Sequence, residues 1–138
     1  MNIYLDASAV LRLILLDPAR IRDWGSFSTK VTSALLEVEC LRTLDNLKLR
    51  GAVREDELPG RRAALHDILS SSTVLEVTGS ILLRASEPLP TPLRTLDAIH
   101  LASAMTWRET HAGDLTMATH DEELAKAARG KGLEVIGV

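Results

Sequence analysis

The segment Leu93-Arg94-Thr95-Leu96-Asp97-Ala98-Ile99-His100-Leu101-Ala102-Ser103-Ala104-Met105 reads as a helix with almost no polar face, yet it carries an acid. At about 100° per residue Asp97 falls among Leu93, Leu101 and Ala104, with His100 one turn on, so its carboxylate points where apolar side chains point. An unpaired carboxylate buried there costs several kcal/mol. Either a cation stands opposite it, or it is protonated, or the helix lines a site whose ligand carries the charge. Arg94 and His100 are flank neighbours that do not settle the matter, and a metal ion is the economical partner.

Around this helix the chain alternates short apolar runs with helical patterns. Ile3-Tyr4-Leu5 is a continuous apolar run, as in a strand buried on both faces, and it stops at Asp6. Asp6-Ala7-Ser8-Ala9 supplies N-cap residue types, and the helix it starts must end by Asp17-Pro18. Asp6 thus stands where a strand hands over to a helix, the usual ligand position in open α/β sheets, although a plain helix cap would explain it equally. Ile21 to Phe27 reads as a short helix, Thr29 to Thr32 as a strand, and Ser33 to about Arg50 as a long helix stopped by Gly51. Ala52 to Ser70 reads as a charged helix, Thr73 to Val77 as a strand and Gly79 to Ala85 as a short helix. Pro88 to Pro92 forms a rigid connection into the Leu93 helix. Leu115 to Thr119 is a strand ending in His120-Asp121, followed by a helix from Glu122 to Arg129 and a strand from Leu133 to Ile136. Such alternation means a parallel sheet covered on both faces, an α/β fold.

The 138 residues suffice for one domain and are too few for two ordinary ones, so residues 1–138 are read as a single domain. The first residues lack the basic start of a signal peptide, and the run from Ala9 to Leu16 is short and broken by Arg12, so neither export signal nor membrane span is expected. Cys40 is the sole cysteine, which excludes an intrachain disulfide and fits a cytoplasmic protein with Cys40 as a small buried hydrophobe. A net charge of −3 argues against a protein that simply coats nucleic acid, and 3% aromatic residues leave little for base stacking. A nuclease remains open, since divalent ions held by acids reverse the sign of the local surface. Lys48, Arg50, Arg54, Arg61 and Arg62 form the densest basic region, a candidate RNA-phosphate or partner surface against the plain alternative of a solvated face.

Three acids stand at comparable places: Asp6 and Asp121 after strands, and Asp97 on the apolar helix. A fourth comes from Glu37 or Glu39, which lie on nearly opposite faces of the long helix and which spacing alone does not separate. Oxygen-only clusters suit magnesium or manganese and point to phosphodiester hydrolysis. Other chemistries lack their frames. Ser8 stands where a haloacid-dehalogenase-like phosphatase needs a second acid, and Ser103, His100 and Asp97 share one helix with no Gly-x-Ser-x-Gly turn. Gly130-Lys131-Gly132 is no phosphate loop, and His111, Asp114 and His120 are too loosely spaced for zinc. His100 reads as a histidine that packs in the core or supports a site residue without touching the ligand itself.

The segments Tyr4 to Ala9, Ser33 to Arg42, Leu93 to Ala104 and Ala118 to Leu124, in this order and spacing over nearly the whole chain, resemble the PIN-domain ribonucleases, in particular the VapC toxins of type II toxin-antitoxin systems. The resemblance implies a three-layer α/β/α sandwich around a short parallel sheet, with Asp6, Glu39, Asp97 and Asp121 as catalytic, metal-holding acids for magnesium or manganese. Glu39 takes the family position because Ser33 precedes it by six residues and Arg42 follows by three. Ser8 and Thr119 match the small hydroxyl residues lining the site, and Asp114 is placed outside it. The resemblance further implies an endoribonuclease acting as a toxin on RNA, restrained by a cognate antitoxin and paired as a homodimer. The alternatives are a non-catalytic PIN-like RNA- or protein-binding module and a housekeeping PIN nuclease.

Overall fold

The computed structural model describes residues 1–138. Five strands, β1 (Asn2–Leu5), β2 (Thr29–Ser33), β3 (Thr73–Leu75), β4 (Leu115–Ala118) and β5 (Glu134–Ile136), form one sheet in the order β3-β2-β1-β4-β5, with every neighbouring pair parallel. Parallel neighbours cannot be joined by tight turns, and helices make the crossovers: α1 (Ala7–Ile14), α2 (Leu35–Leu49), α3 (Leu58–Ser70), α4 (Gly79–Ala85), α5 (Thr95–Thr110) and α6 (Glu122–Gly130).

The period-2 alternation of β1 separates the two faces. Ile3 and Leu5 pack with Val10, Ile14, Leu36, Leu44 and Leu65 of α1, α2 and α3. Tyr4 points the other way, packing with Leu101, Trp107 and Leu124 of α5 and α6, beside Val31 and Met117, its register partners on β2 and β4. The result is the parallel sheet covered on both faces that the sequence pattern predicts, and the three-layer α/β/α sandwich that the resemblance implies. Ile81 of α4 packs on Ile99 and Ala102 of α5. Cys40 is fully buried among the apolar residues under α2, and no helix is long and apolar enough to cross a membrane.

From β1 the chain moves outward through β2 to β3, then returns to the opposite side of β1 with β4. The direction of winding therefore reverses between β1 and β4. A crevice opens at the carboxyl ends of strands at such a reversal, and Asp6 and Thr119 are the residues that leave these two strands.

Several elements are shorter than their patterns suggest. α5 starts at Thr95, so Asp97 lies in its first turn rather than mid-helix. Between Ile21 and Phe27 only a 3-10 turn forms, at Asp23–Ser26. Ala52 to Ser70 divides into a 3-10 turn at Glu55–Glu57 and α3, whose first turn accommodates Pro59 because an N–H there has no intrahelical partner to lose. The third strand ends at Leu75, on the sheet edge, where only β2 offers ladder partners.

Candidate active site

Asp6 leaves β1 in an extended conformation and becomes the N-cap of α1, accepting from the Ala9 amide at 2.8 Å. Cap and candidate site residue are thus the same carboxylate. It is only 2% exposed, and every bond it accepts comes from its immediate cradle. Oδ1 takes the Ala9 amide and the Ser8 hydroxyl at 2.8 Å; Oδ2 takes Ser8 at 2.9 Å and Thr119 Oγ1 at 2.5 Å. Burial pushes the Asp6 carboxyl above its ordinary value, while the bonds from Thr119, Ala9 and Ser8 pull it back.

The same hydroxyls organise the end of β4. Ser8 Oγ accepts from the His120 amide at 2.8 Å, and Thr119 Oγ1 accepts from the Asp121 amide at 3.0 Å. Asp121 then caps α6 through Leu124 at 2.8 Å. Two acids therefore occupy equivalent strand-to-helix junctions on either side of the winding reversal, each stabilised by the positive end of its helix. Gly137 closes this region from behind: its carbonyl accepts from His120 Nδ1 at 2.7 Å, its φ is +106°, and a Cβ there would collide with the Thr119 carbonyl.

Asp97 in α5 faces Asp121, with Arg94 between them. Arg94 Nε lies 3.7 Å from Asp97 Oδ2 and Arg94 Nη2 lies 3.8 Å from Asp121 Oδ2. Arg94 is therefore more than a flank neighbour: it spans the two acids. At 86% exposure this contact is screened and weak. Asp97 is held above its ordinary value first by desolvation and then by repulsion from Asp121, with Arg94 acting against both. Pro92, Leu93, Arg94, Asp97, Asp121 and Glu123 line the cleft at this point.

On α2, Glu37 is exposed, whereas the Glu39 side chain is 15% exposed and Oε1 lies 2.6 Å from His100 Nε2. This packing distinguishes two glutamates that the helical wheel left equivalent. Ser33 is buried at the end of β2, its hydroxyl accepting from the Leu35 amide at 3.1 Å. Arg42 is exposed and pairs with Asp45 at 3.1 Å, on the rim of a groove that Glu39 also lines.

The basic region is divided differently from its sequence. Arg54 pairs with Asp56 at 3.0 Å and Glu57 at 3.3 Å, and Arg61 pairs with Glu57 at 3.4 Å and donates to the Ile14 carbonyl at 3.3 Å. Arg61 thus sits at the far end of α1, roughly 12 Å along the helix from Asp6 at 1.5 Å per residue. Arg50 and Arg62 are exposed. Asp114 precedes β4, at the opposite end of the sheet from the acids.

No three His, Cys, Asp or Glu side chains are gathered into a ready-made metal cage. The donor set nonetheless fits a hard cation: it is all oxygen, and Asp97 is repelled by both Asp121 and Asp6. Magnesium demands few protein ligands, using one or two carboxylates with waters and substrate phosphate. The PIN domain family matches residues 3–130.

The chain belongs to the PIN-domain family. This PIN domain is 36% identical to ribonuclease VapC46 of Mycobacterium tuberculosis (strain ATCC 25618 / H37Rv), covering 97% of this chain and 95% of that protein. It is 33% identical to ribonuclease VapC35 of Mycobacterium tuberculosis (strain CDC 1551 / Oshkosh), again over 97% and 95%. Among solved structures it resembles VapBC2 from Rickettsia felis, crystallised with a DNA fragment from its promoter (TM-score 0.67, 12% identity, 99% and 98% of the chains). It also resembles a Pyrobaculum aerophilum protein (TM-score 0.64, 23% identity, 98% and 89%). These structural likenesses bear on the fold. Sequence reasoning overlooked that Arg94 spans Asp97 and Asp121 and that Gly137 backs Thr119 and His120, contacts between separate elements that no local pattern signals.

Proposed function

We propose that residues 1–138 form one metal-dependent endoribonuclease domain of the VapC type, hydrolysing RNA phosphodiester bonds as the toxin of a toxin-antitoxin pair. The observation that carries this reading is the cradle of Asp6. A nearly buried carboxylate is fixed by Ser8, Ala9 and Thr119 at the winding reversal, with Asp97 and Asp121 beside it. Asp6, Asp97, Asp121 and Glu39 would hold magnesium, or manganese in its place. Such an ion, when bound, polarises the phosphoryl oxygen, activates water and neutralises the leaving oxygen.

The chain's own residues do the positioning. Ser8 and Thr119 fix the Asp6 oxygens in direction, so little reorganisation remains when charge develops nearby. Arg94 is exposed and only weakly held by its two acids, so it can turn to an RNA phosphate, and Arg50 and Arg62 offer further unpaired positive charge. Arg54 and Arg61 contribute less, being neutralised by Asp56 and Glu57. A groove lined by Ala7, Leu35, Val38, Glu39 and Leu96 runs beside the acids and supports an antitoxin segment as partner. A homodimer and a cytoplasmic location complete the reading.

The test is cleavage of labelled RNA by purified protein with magnesium, manganese or excess chelator, alongside Asp6→Asn and Asp97→Asn. Loss of cleavage by orders of magnitude in both variants and in chelator supports the reading; cleavage surviving them overturns it. Growth arrest on expression, relieved by a co-expressed neighbouring small protein, tests the toxin role.

A further inference from the structure

Tyr4, His100 and Glu39 form a single line of side chains from the core to the acids, each contributed by a different element. Tyr4 of β1 is fully buried, and its hydroxyl lies 2.8 Å from His100 Nδ1. The two rings meet edge to face, with centroids 5.8 Å apart. His100 of α5 is 1% exposed, and its Nε2 reaches Glu39 Oε1 of α2 at 2.6 Å.

The chemistry of the atoms gives the direction of the second bond. An ionised carboxylate only accepts, so at this distance the hydrogen belongs to Nε2 and His100 is the donor. At the other nitrogen stands the Tyr4 hydroxyl, which donates to the Nδ1 lone pair at 2.8 Å once the ring proton is on Nε2. A ring bonded at both nitrogens cannot rotate without breaking both bonds. Glu39 by itself has a long, flexible side chain whose immobilisation costs conformational entropy. A core position that only needed filling would be served by leucine.

We propose that His100 is a positioning residue for Glu39: its Nε2–H, with the ring locked by Tyr4, takes Oε1 and presents Oε2 to the cation of the acidic site. This rests on the metal-dependent reading above. His100 touches neither substrate nor metal and acts only through Glu39.

The experiment compares wild type, His100→Leu, His100→Gln and Tyr4→Phe. Mn2+ and Mg2+ binding are measured by titration calorimetry, folding by circular dichroism, and imidazole protonation by long-range 15N NMR of the wild type. A glutamine amide replaces the Nε2–H donor, so His100→Gln binds Mn2+ within a few-fold of wild type. His100→Leu, folded, binds 10- to 100-fold more weakly, the usual scale for losing a residue that orients a ligand. Tyr4→Phe falls between them, and the wild-type spectrum shows Nε2 protonated. Equal Mn2+ affinity in folded His100→Leu, or an unprotonated Nε2, overturns the proposal while leaving the nuclease reading standing. Wild type that binds neither ion overturns both. If His100→Leu does not fold, the NMR spectrum and Tyr4→Phe decide, and Tyr4→Phe binding as tightly as wild type counts against the proposal.

Discussion

The Thr119 hydroxyl donates to Asp6 Oδ2 at 2.5 Å, joining positions 113 residues apart across the winding reversal of the sheet. Thr119 Oγ1 also accepts from the Asp121 amide, so one hydroxyl couples the ends of β1 and β4. Thr119→Val removes the donor and the acceptor while keeping the shape. It leaves a nearly buried carboxylate underbonded and should cost about 1–3 kcal/mol, whereas Thr119→Ser should cost less than about 1. Urea denaturation of the two variants measures this, and equal stability of Thr119→Val and wild type would show that the coupling is not structural.

Glu39 should prove essential and Glu37 dispensable. Glu39→Gln weakens a buried, charge-assisted bond to His100 and should lower RNA cleavage at least tenfold. Glu37→Gln alters an exposed side chain and should leave cleavage within a few-fold. Rates of labelled-RNA cleavage in the reverse order would mean that Glu37 is the functional acid.

Asp97 makes the metal-free protein sensitive to pH. Its carboxyl is held above the ordinary 3.8 by desolvation and by Asp121, with Arg94 opposing. At the most acid pH both folded and unfolded chains hold the proton. As pH rises through the ordinary value the unfolded chain releases it first, so stability falls until the raised folded value is passed. Asp97→Asn lacks this loss. In chelator, wild type should therefore weaken relative to the variant as pH rises above about 4, with the gap constant once the raised folded value is passed, as urea midpoints would report. Magnesium at a hundred times its Kd should then stabilise wild type by about 2.7 kcal/mol and the variant far less. A gap independent of pH would show that Asp97 makes a structural bond instead.

Arg94 competes with any cation for Asp97 and Asp121. Removing it in Arg94→Gln should tighten Mn2+ binding several-fold, since a unit charge about 4 Å away is worth on the order of 1 kcal/mol in water. Folding stability should change by no more than about 0.5 kcal/mol, the pair being exposed. Calorimetry showing weaker Mn2+ binding would mean that Arg94 helps to hold the ion rather than standing in its place.

The layered parallel sheet, the junction acids Asp6 and Asp121 and the burial of Cys40 were all legible in the sequence. Each is a local property: a short apolar run has few ways to be buried, and an N-cap acid must follow the strand that feeds its helix. The boundaries at Thr95 and Leu58 were less legible, because propensity is nearly flat across the first turn of a helix and packing fixes where it begins.

The sequence by itself determined that acids would stand at the carboxyl ends of β1 and β4, since strand, cap and helix follow one another along the chain. Tertiary structure alone decided that Glu39 and not Glu37 meets His100, that Arg94 spans Asp97 and Asp121, and that Arg54 and Arg61 spend their charge on Asp56 and Glu57. Periodicity gives the direction of a side chain from its own helix. What stands opposite it depends on how separate elements dock, and Tyr4, Glu39 and His100 come from three of them.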